Sequence, residues 1–472
     1  MSTVSRDMTG SLTTGPIART LLAFSLPVLG SNILQSINGS INALWVGHFL
    51  GEVGLAATAN ANLIIFLIIS MVFGFGMAGT ILIGQHMGRG EIEAVRRATG
   101  TGATLFLISG ILIATLGWVS APLMLHAMGT PAEVYPSALP YLRMMFAGMP
   151  PALMTVYLAM TLRGVGDSLT PLVAMLPGIV VEVALNPVLI LGLGPAPHMG
   201  IAGSALATLI ANFVQGLTLL YLIYRRDLPI RLRGAELRYL KPAAHLVRFI
   251  IVKGVPLGLQ MIVVAGSAVV MMVLVNREGT ATVAAYGAVT QLWTYIQMPS
   301  FAIGMAVSGM AAQNIGAGLW HRVDRIAWTG MGVNLVLTGT IVTLTLLLDG
   351  PMLRLFLPHH EDAVAIGQHI NLLASWSFII QGMTLALSSV VRANGAGIIP
   401  LLILVIAFIP GRVGSALGLE PWLGTDAIWW SFPVGSILSL ILNQIYYRHG
   451  SWKKLIVAAP QAVKAAEQSV AA

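Results

Sequence analysis

A chain of 472 residues that is 56% hydrophobic and only 9% charged has too few ionisable groups to cover a water-soluble globule of that size. Its mean hydropathy of +0.85 points to a polytopic membrane protein. The formal charge of +8 is therefore read by position, not as a nucleic-acid footprint, and the absence of cysteine excludes disulfides, thiolate metal sites and cysteine nucleophiles.

The first sixteen residues, MSTVSRDMTGSLTTGP, are polar and hold no short apolar run ending at a small-residue cleavage site. No cleaved signal peptide is expected, and the first span directs insertion. Apolar runs then recur, and they predict spans at 17–48, 54–84, 97–125, 137–163, 169–193 and 200–224. A basic stretch, YRRDLPIRLRGAELRYLK, follows. Six more spans are predicted at 247–275, 282–313, 325–348, 366–391, 397–419 and 427–447. The runs do not alternate and are too long for strands, which disfavours a barrel. The expectation is an all-α polytopic membrane protein with twelve transmembrane helices. It divides into a six-helix lobe (1–224), a basic cytoplasmic linker (225–246), a second six-helix lobe (247–449) and a cytoplasmic tail (450–472).

Lys and Arg are unevenly shared between the loops. Twenty-one fall on the side of the termini and the central linker; four (Arg143, Arg277, Arg354 and Arg412) are assigned to the other side. By the positive-inside rule both termini face the cytoplasm. Trp429 and Trp430 open the last span at the outer interface, where aromatic belts lie.

The deep polar groups come next in chain order. Asn32, Gln35, Ser36, Asn38 and Asn42 share one side of the first span, and such a stripe faces a bundle interior rather than lipid. The run GIVVEVALNPVLI places Glu182 near the middle of the fifth span with no basic residue nearby. A charge there costs at least ~2.5–3.5 kcal/mol, so it persists only beside a wet cavity, with a partner, or protonated. Asn186 is one turn on and on the same face, and Pro187 leaves the carbonyl of Val183 without its helical donor. Glu182, Asn186 and Asn42 are the candidate ion-coupling residues. Gln35, Asn38, Asn62, Gln260, Gln291, Tyr295 and Gln381 are the candidate substrate-binding groups, uncharged hydrogen-bonding side chains at membrane depth. Gln291 and Tyr295 are spaced i, i+4, and Met261, Met272, Met305 and Met383 could add an adaptable apolar lining.

The halves echo one another. RTLLAFSLPVLGSNI aligns Pro27 with Pro256 of RFIIVKGVPLGLQMI, an offset of 229. LRGVGDSLTP and VRANGAGIIP align Arg163 with Arg392 at the same offset, and Gln291 is the repeat mate of Asn62. QHMGRGEIEAVRRA and QNIGAGLWHRVDRIA align Gln85 with Gln313 after a one-residue slip. Six spans separate the copies, so both have the same topology, and two pseudo-symmetric lobes with a central cleft are the setting for alternating access.

The combination of GPIARTLLAFSLPVLGSNIL, WVGHFLGEVGLAA, LRGVGDSLTP, NPVLILGLG, GIAGSALATLIAN and GVPLGL resembles the multidrug and toxic compound extrusion (MATE) transporters over nearly the whole chain. The resemblance implies two six-helix bundles, a multi-pass position in a bacterial inner membrane, and export of organic cations or related compounds against a proton or sodium gradient. It also implies a monomer without cofactor. Relatives commonly carry aspartates at the positions matching Asn42 and Asn186; here both are amides and the acid stands one turn away, at Glu182. One carboxylate and two amides make a weak hard-cation site, so proton exchange is the expected coupling, with sodium-coupled export as the alternative. A lipid-linked oligosaccharide flippase of the same superfamily needs a cationic groove, and the deep arginine candidates stand at helix ends. A membrane-embedded enzyme needs an acid–base or metal set that the chain lacks. His359, His360, Glu361 and Asp362 are read as a solvated outer loop, not a metal site.

Overall fold

The computed structural model describes residues 12–194, 197–358 and 361–454. Within them the chain is helical. A continuous helical run, Ile17–Arg89, is broken internally at Gly51, whose φ of 65° and ψ of −157° suit a residue without a side chain. Its two apolar spans are α1 (Ile17–Ala59) and α2 (Ala61–Arg89). Then come α3 (Ile92–Ala127), α4 (Tyr135–Ala147), α5 (Met149–Val165), α6 (Leu169–Leu191) and α7 (Ile201–Arg225). A short 3-10 turn at Gly234–Leu240 leads to α8 (Ala244–Val275), α9 (Thr280–Gly316), α10 (Trp320–Leu347) and α11 (Asp349–Phe356). The chain continues through α12 (Glu361–Ala374), α13 (Ser377–Ala393), α14 (Ile398–Ile406), a π-helical stretch (Ala407–Val413), α15 (Gly414–Leu423) and α16 (Asp426–His449).

Among the described residues nine helices are long and apolar enough to cross a membrane. Two bent pairs add two more: α4 with α5, at 49°, and α12 with α13, at 43°. The 37-residue α9 completes the twelve predicted spans. It buries the polar side chains of Ser300, Ser308, Gln313 and Asn314. The bends fall in the fourth and tenth spans, at Gly148 and at Ser375–Trp376, which are matching positions in the repeat.

By backbone proximity the chain divides into two units. Among the described residues, one runs over Leu26–Gly258; the other joins residues 12–25 to the chain from Leu259 onward. In the first unit α6 packs along α7, and α3 packs on α4 and α5. Its core holds Phe106, Tyr141, Phe146, Leu153 and Tyr157. The basic linker lies on the start of α3: Arg96 pairs with Glu236, and the Tyr239 hydroxyl donates to Glu93 at 2.7 Å.

The second unit packs α9 against α10, α12 and α13, with α16 against α13 and α15. Its core is an aromatic cluster of Tyr286, Trp293, Phe378, Trp429 and Phe432. The Trp293 indole donates to Asn371 and Ser375, both at 3.0 Å, and Asn371 in turn donates to Asp349 at 2.7 Å. One placement departs from the sequence reading. Arg412, counted above with the outer side although the predicted span 397–419 encloses it, lies inside the span Ile398–Leu423. Helix continues past it through Gly414–Leu423, so the charge sits within the helix and not at its end.

Candidate functional site

The start of α6 is set by Asp167. Its Oδ1 accepts the amides of Leu169 (3.1 Å) and Thr170 (2.9 Å), answering donors that a helix start leaves free. The helix keeps Pro177 and Pro187 in its interior and ends at Gly192, at φ 70°. It runs close to α7 because small residues permit it. A Cβ on Gly178 would stand 3.1 Å from the carbonyl of Ala211, and one on Gly203 would stand 2.5 Å from that of Leu189.

That approach builds the environment of Glu182, which is 6% exposed. Its Oε2 accepts from Asn38 Nδ2 on α1 at 2.8 Å, and its Oε1 accepts from the Thr208 hydroxyl on α7 at 2.7 Å. One turn along α1, Asn42 Oδ1 accepts from the Ser204 hydroxyl at 2.7 Å. Tyr141, from α4, is near enough to interact electrostatically with the carboxylate. Asn186 is buried and its Oδ1 has no hydrogen-bond partner. Among the described residues no Arg, Lys or His forms an ion pair with Glu182. The carboxyl is thus held by neutral donors from two other helices, in an enclosure without a counter-charge.

Glu182, Asn38, Asn42 and Asn186 therefore share one neighbourhood of the first unit. Gln35 and Asn62 belong to the same unit but are exposed, without a hydrogen bond among the described residues. In the second unit Gln260 is buried and engaged: its Nε2 donates to the carbonyl of Gly397 at 3.2 Å and its Oε1 accepts from Arg392 at 3.1 Å. Gln291 and Tyr295 are exposed and Gln381 is half-buried, again without hydrogen bonds among the described residues. Sequence reasoning missed Ser204, Thr208 and Tyr141. For the first two a signal existed: Ser204, Thr208 and Asn212 recur every fourth residue along one face of α7. His359 and His360 lie outside the described residues. Among those described, no three His, Cys, Asp or Glu side chains converge as metal ligands.

A family model described as MatE matches residues 27–188 and again 256–416. The two matches begin 229 residues apart, the offset of the internal repeat. The chain is 34% identical over 440 residues to the probable multidrug resistance protein YoeA of Bacillus subtilis (strain 168), covering 92% of this chain and 94% of that protein. It is 30% identical to the probable multidrug resistance protein YpnP of the same organism, covering 94% and 97%. Among solved structures, a MATE crystal structure in complex with MaL6 superposes with a TM-score of 0.86 at 19% identity, over 94% of this chain and 98% of that one. An outward-facing multidrug resistance MATE family transporter of the MOP superfamily gives 0.84 at 20%, over the same shares.

Proposed function

The chain belongs to the multidrug and toxic compound extrusion (MATE) family, and from that premise we propose that it exports amphipathic, cationic organic compounds in exchange for protons, by alternating access. The observation that carries the proton reading is the setting of Glu182, a buried carboxyl whose two oxygens are answered by Asn38 and Thr208 with no cation alongside. Charge at the centre of a span costs ~2.5–3.5 kcal/mol. Hydrogen bonds to a charged group return ~1.5–3 kcal/mol each. Outward opening exposes Glu182 to protons; protonation removes the charge that attracts a cationic compound and loosens its hold on α1 and α7. Inward opening returns the proton and restores the charge.

The protein acts as a monomer in a bacterial inner membrane, with both termini, the linker 225–246 and the tail 450–472 on the cytoplasmic side, and with lobes of six spans over 1–224 and 247–449. The excess of Lys and Arg on that side supports the orientation. Asn42, Asn186, Gln35, Asn38 and Asn62 from the first lobe, and Gln260, Gln291, Tyr295 and Gln381 from the second, supply the coupling and binding groups. A sodium-coupled cycle is the second reading. The buried, unpartnered Oδ1 of Asn186 favours it, since such an oxygen one turn from a carboxylate could serve a small cation.

Ethidium transport in everted vesicles separates the two. Proton coupling predicts uptake that collapses when the pH gradient is dissipated and persists without sodium; the reverse pattern assigns sodium. Glu182→Gln keeps the shape and can still meet Asn38 and Thr208, but it cannot ionise. We expect it to be expressed normally and to lose uptake. Full transport by this variant would defeat the mechanism.

A further inference from the structure

Arg412 lies 14 residues from the first residue of the span Ile398–Leu423 and 11 from its last. At ~1.5 Å per residue that is about 21 Å and 17 Å of helix to its two ends. The backbone around it is π-helical over Ala407–Val413, with Pro410 inside. Turns of this kind within α-helices concentrate at functional sites. The widened turn meets α16 closely, since a Cβ on Gly435 would stand 3.0 Å from the carbonyl of Ala407 and 3.2 Å from Cβ of Arg412.

The guanidinium is unanswered. Its Nε is buried without a hydrogen-bond partner, and among the described residues no hydrogen bond or carboxylate reaches the rest of the group. Its partners are rings instead. Cζ lies 3.5 Å from the ring centroid of Phe432 and 5.3 Å from that of Phe408. Tyr286 is near enough to interact electrostatically, and its hydroxyl also has no hydrogen bond among the described residues. Rings attract a cation through their faces but accept none of its five N–H donors in plane. A planar fork of donors inside an aromatic shell fits a carboxylate, which can accept two of them side by side.

We propose that Arg412, assisted by the Tyr286 hydroxyl, is a binding site within the second unit for the carboxylate of an amphipathic aromatic compound. The compounds recognised then include zwitterions as well as plain cations. The site depends on the export reading for its place in transport, but its existence is tested by binding alone.

Two forms of one fluorophore test it: a rhodamine carrying a free carboxyl group, and its methyl ester. Binding to the full chain in nanodiscs is followed by fluorescence polarisation. Arg412→Gln should weaken binding of the acid about ten-fold or more, and that of the ester less than about two-fold. Arg412→Lys, which keeps the charge but not the fork, should fall between. Equal weakening of acid and ester would reduce Arg412 to a packing role and overturn the site, as would unchanged binding of the acid. If Arg412→Gln fails to fold, the unaltered protein still decides. Excess phenylbutyrate should displace the acid and not the ester, and no displacement sinks the proposal. Carboxylate-selective binding without gradient-driven ethidium transport would leave this site standing and remove the export reading.

Discussion

Glu182 and Asp349 are both buried carboxyl groups, and their surroundings differ. Glu182 is answered on both oxygens by side chains from other helices. Asp349 lies outside the spans, is 5% exposed, and accepts one hydrogen bond from Asn371. Burial pushes its carboxyl above the ordinary aspartate value, and the Asn371 bond offsets this in part. A raised value means that the fold favours the neutral form. Ionisation therefore costs stability at neutral pH, and the cost vanishes below the ordinary aspartate value of about 3.9. Asp349→Asn keeps an acceptor for Asn371 and removes the charge. It should raise the thermal midpoint at pH 8, with a gain that shrinks as the pH falls. Heating followed by size-exclusion chromatography at several pH values measures this; an equal gain at pH 8 and at a pH below about 3.9 would show that charge is not the cause.

The pairing of α6 with α7 positions two of the hydroxyls around the site. Gly203 lets the helices approach, and the residues that follow it on α7, Ser204 and Thr208, reach Asn42 and Glu182. Gly203→Val would drive a branched side chain into the carbonyl of Leu189, at a cost of ~1–3 kcal/mol. We expect a lower thermal midpoint together with lost efflux, in contrast to Glu182→Gln, which should lose efflux alone. An unchanged midpoint with full efflux would mean that this contact does not set the geometry. The bends were unequally legible. Gly148 precedes Pro150 and Pro151, a pattern that ends one helix and starts another. The bend at Ser375–Trp376 has no proline or glycine at its break and is held by tertiary contacts such as that of the Trp293 indole with Ser375. Both pairs read as single spans in the sequence, because hydropathy reports how long a run is and not whether it is straight.

For the molecule as a whole, orientation is the most direct prediction. The chain has no cysteine, so each introduced cysteine is a clean probe. Ala235→Cys in the basic linker should resist a membrane-impermeant maleimide in intact cells. Ala132→Cys, between α3 and α4, should be labelled. The opposite pattern would invert the assigned topology. Charge counting carried that assignment despite misplacing Arg412, because one arginine hardly changes a ratio of twenty-one to four.

By itself the sequence determined the class of molecule, its twelve spans, its parallel repeat and the depth of Glu182. These follow from run length, composition and spacing, which are local, and from the cost of placing charge in hydrocarbon, which holds wherever the helix packs. Only the tertiary structure decided which groups answer that carboxyl. Asn38 stands 144 residues before it and Thr208 26 after, and no local pattern encodes which helix faces meet. It also placed Arg412 among aromatic rings and away from any acid. The predicted span 397–419 already enclosed that charge, but the Phe432 ring that meets it belongs to α16, and no local pattern encodes which helix packs there.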